Sequence, residues 1–360
     1  MSIREVRWNQ HVGKERDYLC VDAFIADMVG ARALSTAFET GVIDYMIAHA
    51  SCTSQAIYAD LQLDKRGLQL LLGMLRANRV IESKRNDEAM ADNGDEIQLS
   101  ENFKAAVVFR DLMEAKLYFA NLVAPDFLHL LTALLMAPAK FTEQARIFKL
   151  FSYQRAFEPT AENYEQTARW MRITTALTKY EAQACIAAFD FSPYRRMLDI
   201  GGNSGEFVLR ICRKHRELLA AVYDLPLVCD IGAKHVAEEQ EAARIEFIKR
   251  DPTQLSLPRG YDLITFKSML HDWPDAEMGD FLNRAYDALE VGGTLMIFER
   301  AEASVEDVQI AYGQLPLMLF FRSYRTPQAY QAQLETIGFH SVAVADVPLD
   351  MPFMLITATK

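Results

Sequence analysis

The sequence predicts an α/β protein with a Rossmann-like, doubly wound seven-stranded sheet behind a helical, winged-helix-like N-terminal domain. A glycine-rich turn follows the apolar run 197–200, and polar residues end the four apolar runs that come after it. Helical patterns and a polar hairpin precede residue 100. We therefore predict a winged-helix-like domain at 1–100, a helical connecting region at 101–190 and the sheet domain at 191–360.

The N-terminal elements are predicted from caps and periodicity. Thr53 or Ser54 can cap one helical pattern and Asp64 can cap the next, because a side-chain oxygen there can accept from a free backbone N–H. An apolar helical pattern begins at Asp22 and ends before Gly41. We predict helices at 22–40, 54–60 and 65–77, and a hairpin pairing 79–82 with 96–99.

The sheet domain follows a region, 101–190, that is helical throughout in its pattern. Short apolar runs bounded by turn residues indicate strands, and a terminal pair of runs indicates a closing hairpin. We predict strands at 197–200, 220–224, 245–248, 261–266, 293–298, 341–347 and 352–359, and helices at 308–321 and 326–337.

The turn Gly201-Gly202-Asn203-Ser204-Gly205 indicates a ligand site. Glycine has no Cβ and accepts positive φ, so a ligand can approach the backbone there. Such turns at the carboxyl end of a parallel strand often bind nucleotides or nucleosides. Asp224 ends the second strand, at the spacing from which an acid can bind ribose hydroxyls.

Five runs carry a family resemblance: Asp199 to Gly205, Tyr223-Asp224-Leu225-Pro226, Arg250-Asp251, Lys267 to Asp275, and Gly292 to Glu299. They resemble the small-molecule O-methyltransferases that use S-adenosylmethionine, a group with caffeate-type, hydroxyindole and bacterial natural-product enzymes. The resemblance covers nearly the whole chain. It implies a seven-stranded methyltransferase sheet, an N-terminal dimerisation domain, a homodimer and a small hydroxylated, aromatic acceptor.

The resemblance also implies roles for individual residues. His271 would be the general base and Glu299 would orient it. A neutral imidazole can take a phenol's proton, and a carboxylate on the other ring nitrogen fixes the tautomer. The sulfonium is an activated methyl donor, so no metal is needed. The implied cofactor-binding residues are Asp199, Gly201, Gly202, Asp224, Leu225, Asp251, Pro252 and Lys267.

Two positions depart from the family pattern. Asn203 occupies the third position of the turn, where the family usually has glycine. Because Asn tolerates the left-handed backbone region, we expect an intact turn. Tyr324 stands at a usual Glu that also flanks the histidine. This loss keeps open an alternative in which the protein binds S-adenosylmethionine but runs a non-methylating reaction. A second alternative is a regulator that binds DNA through the wing.

Composition limits the partners and the compartment. The net charge of −11 and the pI of about 5.2 argue against nucleic acid as a partner. The apolar stretch 127–139 is too short to span a bilayer, so we expect no membrane partner. Five scattered cysteines without C-x-x-C spacing are typical of thiols in a reducing compartment. These features predict a cytoplasmic protein.

Overall fold

A computed structural model describes residues 14–83, 96–250, 256–302 and 310–360. The chain divides into two compact units. Within the described residues, the helical unit contains 20–152 and 310–322, and the sheet unit contains 14–19, 153–302 and 323–360. Residues 153–190, which the sequence assigns to a connecting region, thus group with the sheet.

The described helices and strands follow in chain order. The helices are α1 (Met28–Glu39), α2 (Val42–Ala48), α3 (Ser54–Asp60), α4 (Lys65–Ala77), α5 (Glu101–Ala106), α6 (Arg110–Met136), α7 (Pro138–Gln144), α8 (Arg146–Leu150), α9 (Ala161–Ala188), α10 (Glu206–Lys214), α11 (Pro226–Val236), α12 (Asp275–Ala288), α13 (Leu315–Met318) and α14 (Pro327–Ile337). The strands are β1 (Cys52–Thr53), β2 (Ile81–Ser83), β3 (Glu96–Leu99), β4 (Arg196–Ile200), β5 (Leu219–Asp224), β6 (Ile245–Lys249), β7 (Tyr261–Lys267), β8 (Leu289–Arg300), β9 (His340–Pro348) and β10 (Pro352–Thr359).

The helical unit confirms the predicted caps of its short helices. Thr53 Oγ1 accepts from Ala56 N at 3.2 Å before α3, and Asp64 Oδ2 accepts from Gly67 N at 2.6 Å before α4. These bonds satisfy donors that the first helical turn leaves free. The predicted hairpin forms between β2 and β3, and β1 adds a third strand that the sequence did not reveal.

Two predicted helices are wrong in extent. The first begins at Met28 instead of residue 22, because Asp27 is extended and caps α1 through a 2.8 Å bond from Gly30 N. A 3₁₀ helix, Lys14–Phe24, precedes it. Of the helix predicted at 308–321, residues 308 and 309 lie outside the described residues, and between 310 and 321 the α-helix is limited to α13, which has Pro316 in its first turn. A missing N–H is tolerated there but not inside a helix, so the proline favours a start at this point.

The large sheet has the strand order β6-β5-β4-β7-β8-β10-β9. Strands β4 to β8 are mutually parallel, while β10 runs antiparallel to both β8 and β9. All seven predicted strands are confirmed. Both faces carry an apolar core, with Leu198 and Ile200 of β4 on one side and Met197 on the other. Strand order reverses between β4 and β7, and ligands of such sheets bind beyond the carboxyl ends at this point.

The helical stretch Glu101–Met136 is long and apolar enough to cross a membrane by length and composition alone. Two charged residues of α6 are buried against other parts of the helical unit. Lys116 Nζ pairs with Asp22 Oδ1 at 2.6 Å, and buried Asp126 accepts from Ile147 N. Elsewhere on α6, Leu128, Leu135 and Met136 are exposed. The helix therefore has a packed face and an uncovered apolar face within this unit.

Candidate active site

The glycine turn after β4 is shaped by close contacts. Gly201 has a φ of +70°, and a Cβ on it would lie 2.4 Å from Met269 Cγ. A Cβ on Gly202 would lie 2.6 Å from Asp199 Oδ2. Both glycines are therefore sterically required. Asn203 adopts a φ of 56° and bonds Ser204 N through Oδ1 at 2.8 Å, so the expectation of an intact turn is confirmed.

Asp224 and Asp199 lie beside this turn. Asp224 accepts from Asn203 N at 2.8 Å and from Leu225 N at 2.7 Å, which joins the end of β5 to the turn. Asp199 accepts from Thr265 Oγ1 at 2.6 Å, and its buried Oδ2 has no hydrogen-bond partner within the described ranges. Burial raises the pKa of Asp224 to about 6 and that of Asp199 to about 7.

A stripe of polar side chains on α9, which includes Thr175, Thr178 and Glu181, contacts the same edge of the sheet. Thr175 Oγ1 bonds Ser204 Oγ at 2.7 Å, so the helix holds the glycine turn. One turn further along, Thr178 binds Lys267 Nζ at 2.9 Å. Buried Glu181 pairs with both Lys267 and Arg300. Burial acts to raise the pKa of Glu181, but these two cations outweigh it and lower that pKa.

This stripe was not recognised in the sequence. The sequence signal for this stripe is a glutamate that follows Thr174, Thr175 and Thr178 by one to two helical turns, which places the four side chains near one face of the helix. The Lys267 ammonium donates to Glu181 and Thr178, which uses two of its three N–H groups, and its cofactor contact stays a prediction.

His271 lies on a 3₁₀ turn, Leu270–Asp272, directly beyond β7. Its Nδ1 is 2.6 Å from Glu299 Oε2, and Glu299 Oε1 accepts from Met269 N at 2.7 Å and from Leu270 N at 2.8 Å. A carboxylate that accepts these bonds requires Nδ1 to carry the proton. The lone pair of the neutral ring is then on Nε2.

The electrostatic environment strengthens His271 as a base. Burial acts to lower its pKa, but the carboxylates of Asp272 and Glu299 outweigh burial and raise the pKa above 6.5. Glu299 is completely buried, so its charge is poorly screened by solvent. The predicted pairing of His271 with Glu299 is present in this geometry, while its catalytic role stays a prediction.

Arg325 braces the turn that carries His271. Its guanidinium donates to the carbonyls of Leu270 and Trp273 and to Asp275. The neighbouring Tyr324 is buried, with its ring centroid 5.5 Å from that of His271. Burial raises the pKa of Tyr324, so the phenol stays neutral. The sequence drew attention to Tyr324, but the bracing role of Arg325 required the fold.

The described candidate residues of the sequence meet at one edge of the sheet. Strand β4 brings Asp199, Gly201 and Gly202, β5 brings Asp224 with Leu225, β7 brings Lys267 and His271, and β8 brings Glu299. Asp251 and Pro252 lie outside the described residues. This arrangement joins a glycine turn with acceptor carboxylates to a histidine whose Nε2 can receive a proton.

Residues 133–340, more than half of the chain, match the sequence model of a family described as an O-methyltransferase domain. The chain belongs to this O-methyltransferase family. Its resemblance to the S-adenosylmethionine-dependent O-methyltransferases is thereby confirmed, and so is the enzyme class. The seven-stranded sheet is the methyltransferase sheet that the resemblance implies.

Several known proteins are similar to this methyltransferase. Acetylserotonin O-methyltransferase of Bos taurus is 25% identical over 87% of this chain and 89% of its own length. The 3-hydroxy-5-methyl-1-naphthoate 3-O-methyltransferase of Streptomyces sahachiroi is 35% identical, but the match spans only 33% of this chain and 34% of that enzyme. The structure of human N-acetylserotonin methyltransferase with SAM superposes with a TM-score of 0.70 at 20% identity, covering 92% of this chain and 93% of that one.

Proposed function

We propose that this protein transfers a methyl group from S-adenosylmethionine to a hydroxyl of a small aromatic acceptor, with His271 as general base. The observation that carries the proposal is the bond from Nδ1 of His271 to buried Glu299. It orients the ring, fixes its tautomer and leaves Nε2 as the proton-accepting atom. Glu299 is thus a positioning residue for the base.

The residues at the sheet edge fit S-adenosylmethionine. Gly201 and Gly202 have no side chain, which suits a ligand that approaches the main chain. Among the described residues Asp199 Oδ2 has no hydrogen-bond partner, which suits a cation or a hydroxyl. Gly201 and Gly202 would lie along the methionine part, Asp224 and Leu225 would hold the ribose, and Lys267 would help hold the cofactor. Asp251 and Pro252 stay predicted contacts near the adenine. When bound, the cofactor supplies a methyl group activated by its sulfonium.

The role of His271 follows from its protonation. An acceptor hydroxyl within reach of Nε2 gives up its proton as its oxygen attacks the methyl carbon, and the ring becomes an imidazolium. Glu299, with Asp272 beside the ring, stabilises that positive charge. A positioned base of this kind contributes roughly 10²–10⁴-fold in rate.

Two of the relatives support an aromatic hydroxyl as the acceptor class. One of these enzymes is named for a hydroxynaphthoate acceptor and the other for acetylserotonin. A phenol has a pKa near 10, so a histidine with a raised pKa can assist its ionisation at neutral pH. An aliphatic alcohol is far less acidic, so a histidine deprotonates it less readily.

The experiment is turnover of a panel of phenols, with matched anilines and benzyl alcohols, using cofactor labelled in its methyl carbon. We expect label in the phenol products and on oxygen, as identified by mass spectrometry and NMR. A protein that binds the cofactor and labels only nitrogen or carbon would contradict the hydroxyl assignment.

A specific observation keeps a non-methylating reaction as the second candidate. Tyr324 is a neutral phenol where the family pattern has a second acid beside the histidine. Label that never leaves the cofactor, together with a converted acceptor, would favour this candidate.

Tyr324→Phe tests what that phenol contributes. We expect a change in kcat of less than about 3-fold, because a neutral hydroxyl cannot stabilise an imidazolium as a carboxylate does. Steady-state kinetics on an accepted phenol provide the measurement. A loss of 10-fold or more, roughly the free energy of one strong hydrogen bond, would assign the hydroxyl a direct role in the reaction.

We also propose a cytoplasmic homodimer formed through the N-terminal half. The uncovered apolar face of α6, with Leu128, Leu135 and Met136 exposed, supports a second copy as its occupant. In this proposal residues 1–100 serve dimerisation, and 101–190 contribute to the dimer and the acceptor pocket. The five cysteines, all within the described residues, form no disulfide, which suits a reducing compartment.

Sedimentation at micromolar concentration tests the dimer. We expect twice the chain mass of 40.9 kDa for the wild type and a shift towards the monomer for Leu128→Glu combined with Leu135→Glu. Val291→Glu, at an exposed position of the sheet unit, is the control and should leave the mass unchanged. A monomeric wild type would contradict the proposal.

A further inference from the structure

Asp272 places a second carboxylate beside the base. Its Oδ1 lies 3.4 Å from Nε2 of His271, the ring nitrogen opposite the one that Glu299 holds. The Asp272 side chain is one-fifth exposed, at 20%, and its contact with Nε2 is too long for a strong hydrogen bond. Something must therefore keep this carboxylate in place if it is to act on the ring.

Tyr153 provides that restraint. Its hydroxyl donates a hydrogen bond to Asp272 Oδ2, while the other oxygen, Oδ1, is the one paired with His271. The Tyr153 ring stacks on Trp273 at 6.3 Å and meets Trp170 edge-on at 6.1 Å. The two tryptophans fix the ring, so the position of the hydroxyl is well determined. Burial and the nearby Asp272 charge raise the pKa of Tyr153, so it remains a donor.

We propose that Tyr153 is a positioning residue, whose hydroxyl holds Asp272 against Nε2 of His271 so that Asp272 supplies a second negative charge to the base. The inference rests on the proposed function, since a base is needed only if a proton is removed. The inference adds Tyr153 and Asp272 to the groups that act on the base. Asp272 lies within one of the five runs of family resemblance, whereas Tyr153 lies outside all of them. The neutral Tyr324 cannot provide that charge.

The other groups around the ring are consistent with this role. Glu299 and Arg300 face His271 from β8, and Tyr324 contacts it from the segment before α14. Arg300 acts to lower the pKa of His271, so the two carboxylates are what raise it. Partial burial raises the pKa of Asp272, whereas His271 and the Tyr153 hydrogen bond act to lower it. Removal of the Tyr153 hydroxyl thus favours a neutral or displaced Asp272.

The test is an NMR titration of the His271 ring in labelled wild type, Tyr153→Phe and Asp272→Asn, with the signal assigned from His271→Gln. We expect Tyr153→Phe to move the His271 titration to lower pH by roughly half a unit, and Asp272→Asn to move it at least as far. On an accepted phenol, Tyr153→Phe should lower kcat roughly 3- to 10-fold, the scale of one hydrogen bond, without altering cofactor Kd.

Tyr45→Phe is the matched control, because the Tyr45 hydroxyl also donates to an aspartate, Asp60, at 2.7 Å in the helical unit. It should change neither the titration nor kcat. An unchanged His271 titration in folded Tyr153→Phe would overturn the inference, even if Tm or KM changed. The titration needs no turnover, so a Tyr153-dependent titration in a protein that methylates nothing would support the inference and contradict the proposed reaction instead.

Discussion

His271→Ala should lower the rate of methyl transfer by about 10²–10⁴-fold while cofactor affinity stays within about 2-fold of the wild type. The rate falls because the variant has no group at the position of Nε2 to take the acceptor proton. Affinity is retained because the glycine turn, Asp199 and Asp224 do not depend on the imidazole. Single-turnover kinetics and calorimetry give the two quantities.

Two comparisons separate lost chemistry from lost structure. His340→Ala removes an exposed histidine on β9 and should be as active as the wild type. Added imidazole should restore part of the activity of His271→Ala, because it can occupy the vacated space and accept the proton. Full activity of His271→Ala on every accepted phenol would remove the residue from the mechanism.

Asp224→Ala should weaken cofactor binding by roughly 1.5–3 kcal/mol, or about 10- to 150-fold in Kd, the range for hydrogen bonds to a charged group. The carboxylate binds two backbone N–H groups of the turn region and retains further acceptor capacity for ribose hydroxyls. Calorimetry on the folded variant measures the effect.

Asp262→Ala is the matched control for Asp224→Ala. Asp262 also accepts two backbone bonds, from Arg195 N at 2.8 Å and Arg196 N at 2.9 Å, but at the opposite end of the strands. Both variants should lose stability, and only Asp224→Ala should lose cofactor affinity. Equal affinities in the two variants would exclude Asp224 from the site.

Cofactor binding should also depend on pH in a defined direction. Burial raises the pKa of Asp224 to about 6 and that of Asp199 to about 7 in the free protein. Ligand hydroxyls and positive charge favour the ionised carboxylates, so affinity should fall as the pH drops from 8 through 7 and 6. Asp199→Asn should remove the upper part of this dependence. Affinity that rises towards low pH would contradict the assignment of these acids.

Strands and caps were accessible to sequence reasoning because their signals are local. The apolar runs of the seven strands, the polar residues that end several of them, and caps such as Thr53 and Asp64 each depend on a few neighbouring residues. The start of α1 was wrong because Asp22 and Asp27 are both plausible caps in the same pattern.

Long-range contacts were not accessible in the same way. Glu181 pairs with Lys267 and Arg300, 86 and 119 positions away, and Tyr153 reaches Asp272 across 119 positions. None of these pairs has a sequence spacing that would reveal it, because each depends on how α9, or the segment before it, packs against the strand ends. Lys267 shows the consequence, because its position was predicted but the partner of its side chain was not.

The pH profile of kcat for an accepted phenol, measured in the wild type and in His271→Ala, tests the central claim most directly. A histidine acts as a base only when neutral, so the wild-type rate should rise with pH through the pKa of His271, which its two carboxylate neighbours place above 6.5. This limb should be absent from the residual activity of His271→Ala. If the rate of His271→Ala also rises with pH at the same midpoint, His271 is not the general base. A flat wild-type profile across this range, with chemistry rate-limiting, would contradict the assignment in the same way.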